Sequence, residues 1–195
     1  RGCERIMRAA FEGAARRRKK VTSITKSNAQ QFGMVLWDEV FRSVARAYPD
    51  IQVNSLLIDA AAMDFVRKPE SFDVVVASNL FGDILSDLGP ACTGTIGIAP
   101  SANLNPTRRW PSLFEPVHGS APDIAGQGVA NPIGQVWSVA MLLDFLGHRA
   151  AHDDVLAAIE SLLADPHAPR TPDLGGSAGT AELGQALVQA LQRRG

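Results

Sequence analysis

Apolar residues recur along this chain with two different periods. Between Glu4 and Lys19 the residues Ile6, Met7, Ala10, Phe11 and Ala14 fall at helical spacing, which predicts an amphipathic helix. Val21-Thr-Ser-Ile24 predicts a short strand behind it. Trp37, Val40, Phe41 and Val44 form the stripe of a second helix running from about Phe32 to Tyr48, where Pro49 stops it. Asn54 to Ile58 then predicts a strand and Ala60 to Val66 a helix. In FDVVVASN the run Val74, Val75, Val76, Ala77 is apolar on both pleat faces, the pattern of a strand buried on both sides as in parallel sheets. NLFGDILSDL, residues 79–88, follows as a strand end turning into a helix. Strand and helix alternate, which points to an α/β layered fold.

The texture changes at Gly89. GPACTGTIGIAPSANLNP is rich in Gly, Pro and small residues and predicts a passage between domains, with the boundary inside it separating residues 1–93 from 94–195. Gln135 to Leu146 predicts a buried helix. Val155 to Leu163 and Thr180 to Leu191 predict amphipathic helices, the last with Thr180 as its N-cap. The basic run Arg16 to Lys20 is expected to close the first helix, where positive charge complements the dipole. No internal repeat or low-complexity segment interrupts this pattern.

Composition narrows the possible partners. Nineteen basic and twenty acidic side chains leave a formal charge of −1, so no global field favours nucleic acid or an anionic membrane, and a small-molecule partner is expected. No apolar run approaches the roughly 20 residues that cross a bilayer, and RGCERIMRAAF has no signal-peptide core. Cys3 and Cys92 form neither a CxxC pair nor a ligand cluster, which suits a soluble protein of a reducing compartment, the cytoplasm by default. The chain opens on Arg within a helical pattern, as a segment of something longer would.

Four polar stretches carry candidate chemistry. Asp83 and Asp87 sit one helical turn apart on the same face, where two carboxylates repel unless something positive lies between them. A divalent cation would turn that repulsion into a binding site; two solvated acids near a helix N-terminus are the alternative. TKSNAQ, residues 25–30, offers Lys26 and Asn28 at a strand end, and a solvated lysine is the plainer possibility there. In LLIDAAAMDFV, Asp59 ends an apolar strand and begins a helix, a position that also suits an N-cap. FEPVHGSAPDIAGQGVANP, residues 114–132, reads as a long ordered loop whose backbone N–H groups could surround an anion or a nucleotide. It is not the GxGxxG fingerprint, and no obvious strand precedes it.

TKSNAQ, LLIDAAAMDFV, NLFGDILSDL, FEPVHGSAPDIAGQGVANP and PDLGGSAGT, in this order and spacing, resemble the β-decarboxylating dehydrogenases, the family of isocitrate, 3-isopropylmalate, tartrate and D-malate dehydrogenases. The resemblance spans essentially the whole chain, and SANLNPTRRWPSLFEPVHG is most similar to the tartrate/D-malate branch. It implies the two-domain layered α/β fold of isopropylmalate dehydrogenase, here incomplete at the N-terminus. Residues 1–93 would belong to the small dimerisation and catalytic domain and 94–195 to the large cofactor-binding domain. It implies that Asp83 and Asp87 bind Mg²⁺ or Mn²⁺ with Asp59 completing the ligands, and that Lys26 is the general base. Lys26 and Asp59 would reach into the site of the neighbouring subunit, so that a homodimer shares its active sites. For the adenosine half of NAD it implies His118 against the adenine, Gly119, Ser120 and Ala121 lining it, Asp123 accepting from the ribose hydroxyls and Asn131 bonding the base edge. A monovalent cation is a further candidate cofactor. The implied reaction is metal-dependent oxidation, with or without decarboxylation, of a 2-hydroxy dicarboxylic acid such as tartrate or D-malate. The alternatives are 3-isopropylmalate oxidation and a non-catalytic, truncated subunit. Substrate-clamping arginines and a proton-donating Tyr precede the position of Arg1 in the family, so the isolated chain is expected to be inactive.

Overall fold

The computed structural model describes residues 1–194, and the chain divides into two compact units, Arg1–Cys92 and Thr93–Gly195. In the first unit β1 (Lys20–Thr25) is the middle of a three-stranded sheet of order β2-β1-β3. Both β2 (Gln52–Leu57) and β3 (Val74–Val76) run parallel to it. Parallel neighbours need crossover connections, which α2 (Gly33–Ala45) and α3 (Ile58–Arg67) supply after α1 (Gly2–Ala15) has led into β1. The core forms where the apolar stripes of α1 and α2 meet β1. Met7, Phe11, Ala14, Val21, Ile24, Trp37, Phe41 and Val44 are buried together, joined by Phe81 and Leu85 of α4 (Asn79–Thr93). Phe11 stacks on Tyr48 with ring centroids 4.8 Å apart, and the buried Trp37 indole donates to Ser23 Oγ at 2.9 Å.

Three sequence expectations are corrected in this unit. The valine strand is parallel, but Val74 and Val75 are only half-buried, because β3 is a sheet edge and its apolar positions face an open cleft of about 510 Å³ with Ile6, Phe65 and Leu85. The basic run does not form the last turn of α1. The helix ends at Ala15, Lys19 takes a left-handed φ of 59°, and Arg18 and Lys20 donate to the carbonyls of Glu70 and Ser71. Asp59 is not an N-cap either, since α3 is capped at Leu57 without a side-chain bond and Asp59 lies inside its first turn.

The second unit contains an antiparallel pair, β4 (Pro100–Asn103) and β5 (Leu113–Pro116), and three helices, α5 (Ile133–Leu146), α6 (Arg149–Ala164) and α7 (Thr180–Gln192). Ile133, Ile159, Leu162, Leu183 and Leu187 make its core. Gly147 closes α5 with φ 95°, and the amides of Gly147 and His148 return to the carbonyls of Asp144 and Leu143, the glycine cap that ends many helices. The pair β4-β5 departs from the sequence expectation: the long loop does follow a strand and does open a helix. That strand was hidden because its partner, PSAN, is small and polar and carries no apolar alternation. Thr180 is likewise not the cap of α7, which is Gly179; its hydroxyl instead donates to the Ala130 carbonyl.

Candidate active site

In the first unit, parallel register gathers the candidate residues. Thr25 is opposite Leu57, so β1 and β2 end level with one another, and the chain leaving each strand emerges at one edge of the sheet. Ligands of parallel sheets bind beyond such carboxyl ends. Lys26 is the first residue past β1, and Asp59 is the second residue of the helix past β2. Their side chains meet, with Lys26 Nζ donating to Asp59 Oδ1 at 2.6 Å. The Asp59 carboxyl is held below the ordinary carboxylate range by that lysine bond first and by its own backbone amide second. It nevertheless remains 64% exposed, so it is open to a ligand on its other side. β3 ends on the same side, and α4 leaves it carrying Asp83 and Asp87.

Asp83 and Asp87 are both exposed, one turn apart on α4. Among the described residues neither forms an ion pair; Ser86 Oγ bonds only the Asp83 carbonyl. Two free carboxylates so placed are hard oxygen donors, the kind that Mg²⁺ and Mn²⁺ select. Asp59 is not brought to them: among the described residues no group of three or more His, Cys, Asp or Glu could hold a metal ion. Within one chain Asp59 is therefore a partner of Lys26, and Asp83 and Asp87 stand as a pair.

The second unit carries its own candidate residues in the loop from Val117 to Pro132 between β5 and α5. His118 Nδ1 lies 3.0 Å from the Gly119 carbonyl. Gly119, Ser120 and Ala121 are exposed, and Ala121 adopts the left-handed region, φ 42°, at the head of a single 3₁₀ turn, Pro122–Ile124. Such a conformation is uncommon for a residue with a side chain. Asp123 keeps its carboxylate exposed, while its carbonyl accepts from Gln127 Nε2 at 2.7 Å. Asn131 is different in character. It is buried, its Oδ1 accepts from the Ile133 amide at 2.9 Å and its Nδ2 donates to Asp173 Oδ2 at 3.0 Å. Its second amide hydrogen, the second lone pair of Oδ1 and its backbone are left for a ligand.

Sequence reasoning passed over the residues that hold Asn131. Asp173 Oδ2 also accepts from Thr95 Oγ1 at 2.7 Å, and Gly97 lies so close that a Cβ there would stand 2.6 Å from the same oxygen. Partial burial acts to raise the Asp173 pKa, but the hydroxyl of Thr171, the amide of Asn131 and the hydroxyl of Thr95 outweigh it and hold the carboxyl below its usual range. The only local signal for this group was the motif PDLGGSAGT itself.

Comparison with known proteins places these features in context. Residues 1–187 match the isocitrate/isopropylmalate dehydrogenase family. The D-malate dehydrogenase [decarboxylating] of Escherichia coli strain K12 is 57% identical over 199 residues, an alignment that covers 99% of this chain and 55% of that protein. The tartrate dehydrogenase/decarboxylase of Pseudomonas putida is 55% identical over 200 residues, covering 99% of this chain and 54% of that one. Among solved structures, an isocitrate dehydrogenase from Methylococcus capsulatus superposes with a TM-score of 0.92 at 41% identity, covering 98% of this chain and 56% of that chain. A β-decarboxylating dehydrogenase from Thermococcus kodakarensis gives a TM-score of 0.87 at 40% identity, covering 98% and 55%. The chain thus spans about half the length of the curated relatives it matches.

Proposed function

The chain belongs to the isocitrate/isopropylmalate dehydrogenase family, and on that premise we propose that it serves a metal- and NAD-dependent dehydrogenase that oxidises D-malate or tartrate at C2. The observation that carries this reading is the parallel register that sets Lys26 and Asp59 2.6 Å apart at the sheet edge from which α4 carries Asp83 and Asp87. The sequence likeness to D-malate and tartrate dehydrogenases favours those substrates over 3-isopropylmalate. The presence of all four charged residues argues against a non-catalytic subunit.

Asp83 and Asp87 would hold Mg²⁺ or Mn²⁺. A divalent ion so held supplies Lewis acidity, lowering the pKa of a coordinated 2-hydroxyl and stabilising negative charge after CO₂ departs. Asp59 faces Lys26 and not the aspartate pair of its own chain, which supports a site completed by a second copy in a homodimer. Lys26 is the residue that takes the hydroxyl proton, directly or through water. An ammonium has no lone pair, so Nζ takes the hydroxyl proton only as the neutral amine, which can keep an N–H on Asp59. NAD, when bound, would supply the acceptor for the hydride that C2 gives up as its hydroxyl becomes a carbonyl. On the cofactor side, His118 would pack against adenine, with Gly119, Ser120 and Ala121 lining it. Asp123 would accept from the ribose hydroxyls, and Asn131 would meet the base edge through its free amide hydrogen or backbone.

The test follows NADH absorbance with the natural protein, Mn²⁺ and each of D-malate, tartrate and 3-isopropylmalate. Lys26→Met should lower kcat by about 10²–10⁴-fold with NADH binding retained, the range ordinarily lost with a general base. Wild-type turnover that survives the substitution would remove Lys26 from the mechanism, and turnover of 3-isopropylmalate alone would replace the substrate.

A further inference from the structure

Three stretches far apart in sequence meet at one carboxylate. Asp173 Oδ2 receives Thr95 Oγ1 and Asn131 Nδ2, and each donor is itself committed: Thr95 Oγ1 accepts from the Gly97 amide at 2.9 Å and Asn131 Oδ1 from that of Ile133, also at 2.9 Å. Thr95 and Asn131 are each only 8% exposed, so water is a poor substitute for the lost acceptor. A second set of bonds comes from the same motif. The Thr180 amide donates to the Gly128 carbonyl at 2.7 Å, and its hydroxyl donates to the Ala130 carbonyl at 2.5 Å. Gly179 permits this approach, because a Cβ there would stand 3.1 Å from the Gly128 oxygen. The motif is itself tightly folded: the Ala178 amide bonds the Arg170 carbonyl at 2.9 Å, and a Cβ on Gly176 would fall 2.0 Å from that oxygen.

Both sets act on one limb of the long loop, residues 126–131. That limb contains Gly126 and Gly128, at φ 78° and 66°, and glycines of this kind give a segment conformational freedom without a side chain to anchor it. Its path is fixed from outside. We propose that the PDLGGSAGT segment, through Asp173 and Thr180, positions the loop at residues 118–131 for binding the adenosine half of a dinucleotide. This rests on the reading of that loop as the NAD site. Asp173 and Thr180 hold the loop through its own backbone and through Asn131, and so act as positioning residues. A loop already held in its bound path does not have to be ordered by the ligand, and affinity rises by the cost avoided.

The natural protein and four variants are titrated with NADH by fluorescence, with Mn²⁺ affinity and hydrogen exchange of the amides of residues 126–133 measured alongside, without cofactor. Asp173→Ala and Thr180→Val should each weaken NADH binding by about fivefold or more, speed exchange across the limb and leave Mn²⁺ affinity unchanged. Asp173→Asn should stay near wild type, because one amide oxygen can accept both bonds that one carboxylate oxygen now accepts. Thr180→Ser, which keeps the hydroxyl, should stay near wild type too. Variants that melt at a lower temperature yet bind NADH as tightly as wild type would overturn the proposal and leave a structural role alone. If Asp173→Ala does not fold, Thr180→Val decides by the same measurements. A wild-type protein that does not bind NADH overturns the dinucleotide reading and the proposal with it; normal wild-type binding with unaffected variants overturns the proposal only.

Discussion

Asp73 shows how one side chain ties the starts of two neighbouring strands together. It is 1% exposed, Arg17 Nε donates to its Oδ1 at 2.9 Å, and the Lys20 amide approaches Oδ2 at 3.3 Å, so the start of β1 is fastened to the segment entering β3. Burial alone would raise its pKa; the Arg17 bond, the Lys20 amide and the charges of Arg17 and Arg18 outweigh burial and hold the carboxyl below its ordinary range. A carboxyl with a depressed folded pKa contributes stability above its unfolded value, near 3.9, and that contribution is lost as pH falls through the folded value. Both arginines are largely in solvent, which screens their share. Asp73→Asn should therefore cost about 1–2 kcal/mol at pH 7, and the gap to wild type should narrow in acid as the carboxyl is protonated. Urea melts at neutral and acid pH measure this, and an equal gap at both would show that the charge is not its origin. Asp123 supports a second residue-scale expectation. Its exposed carboxylate would meet the 2′-phosphate of NADP with like charge, so kcat/KM should favour NAD. Asp123→Ser should narrow that ratio by roughly tenfold, about the 1.4 kcal/mol expected of one removed repulsion; an unchanged ratio would assign the preference elsewhere.

Among elements, α5 and α7 provide a controlled pair of glycines. Gly134 begins α5 where a Cβ would stand 2.8 Å from the Gly97 carbonyl and 3.2 Å from that of Ala99, both backbone atoms that cannot swing aside. Gly184 sits within α7 with nothing within 4 Å of its added Cβ. Gly→Ala in a helix gains up to about 1 kcal/mol of propensity, whereas overpacking costs about 1–3 kcal/mol. Gly184→Ala should thus stabilise the protein and Gly134→Ala destabilise it, as equilibrium denaturation would register; a gain from both would mean that the 97–99 segment yields easily. The same contrast explains what the sequence could tell. Helices with an apolar stripe, and valine strands entering them, are written in local periodicity, and they brought Lys26, Asp59, Asp83 and Asp87 to recognisable strand and helix ends. PSAN carries no such period, so the β4-β5 pair was missed. Asp173 and Thr95 were missed because their bond joins residues 78 apart in the chain, a proximity that no local pattern encodes. Thr180 and Asp59 have the composition of caps, yet tertiary partners, the Ala130 carbonyl and Lys26, claim their side chains.

At the scale of the whole chain, the first unit leaves large apolar side chains uncovered: Met63 on α3 is 57% exposed and Leu80 on α4 is 62% exposed, with Val66 and Ile84 beside them in sequence at helical spacing. Uncovered apolar side chains on adjacent helices suit a protein partner, and a second copy of the chain is the partner that the shared site proposed above requires. The chain also covers only 55% of the D-malate dehydrogenase it resembles. The family resemblance implies substrate-clamping arginines and a proton-donating Tyr in the part of such relatives that this chain does not match. Residues 1–195 expressed alone would offer the proposed metal-binding acids, base and cofactor loop without them. Charge-assisted bidentate bonds both bind and orient a dicarboxylate, and correct placement of reacting groups contributes roughly 7–11 kcal/mol to lowering a barrier, more than Lys26 or a bound metal could replace. The expected outcome is a polypeptide that retains NADH or Mn²⁺ binding, associates through α3 and α4, and does not turn over substrate. The measurement is made on residues 1–195 of confirmed mass, by calorimetry with Mn²⁺ and by NADH absorbance with D-malate or tartrate. Turnover near that of a full-length relative would refute the claim, and would mean that orientation of the substrate is achieved by residues already in this chain.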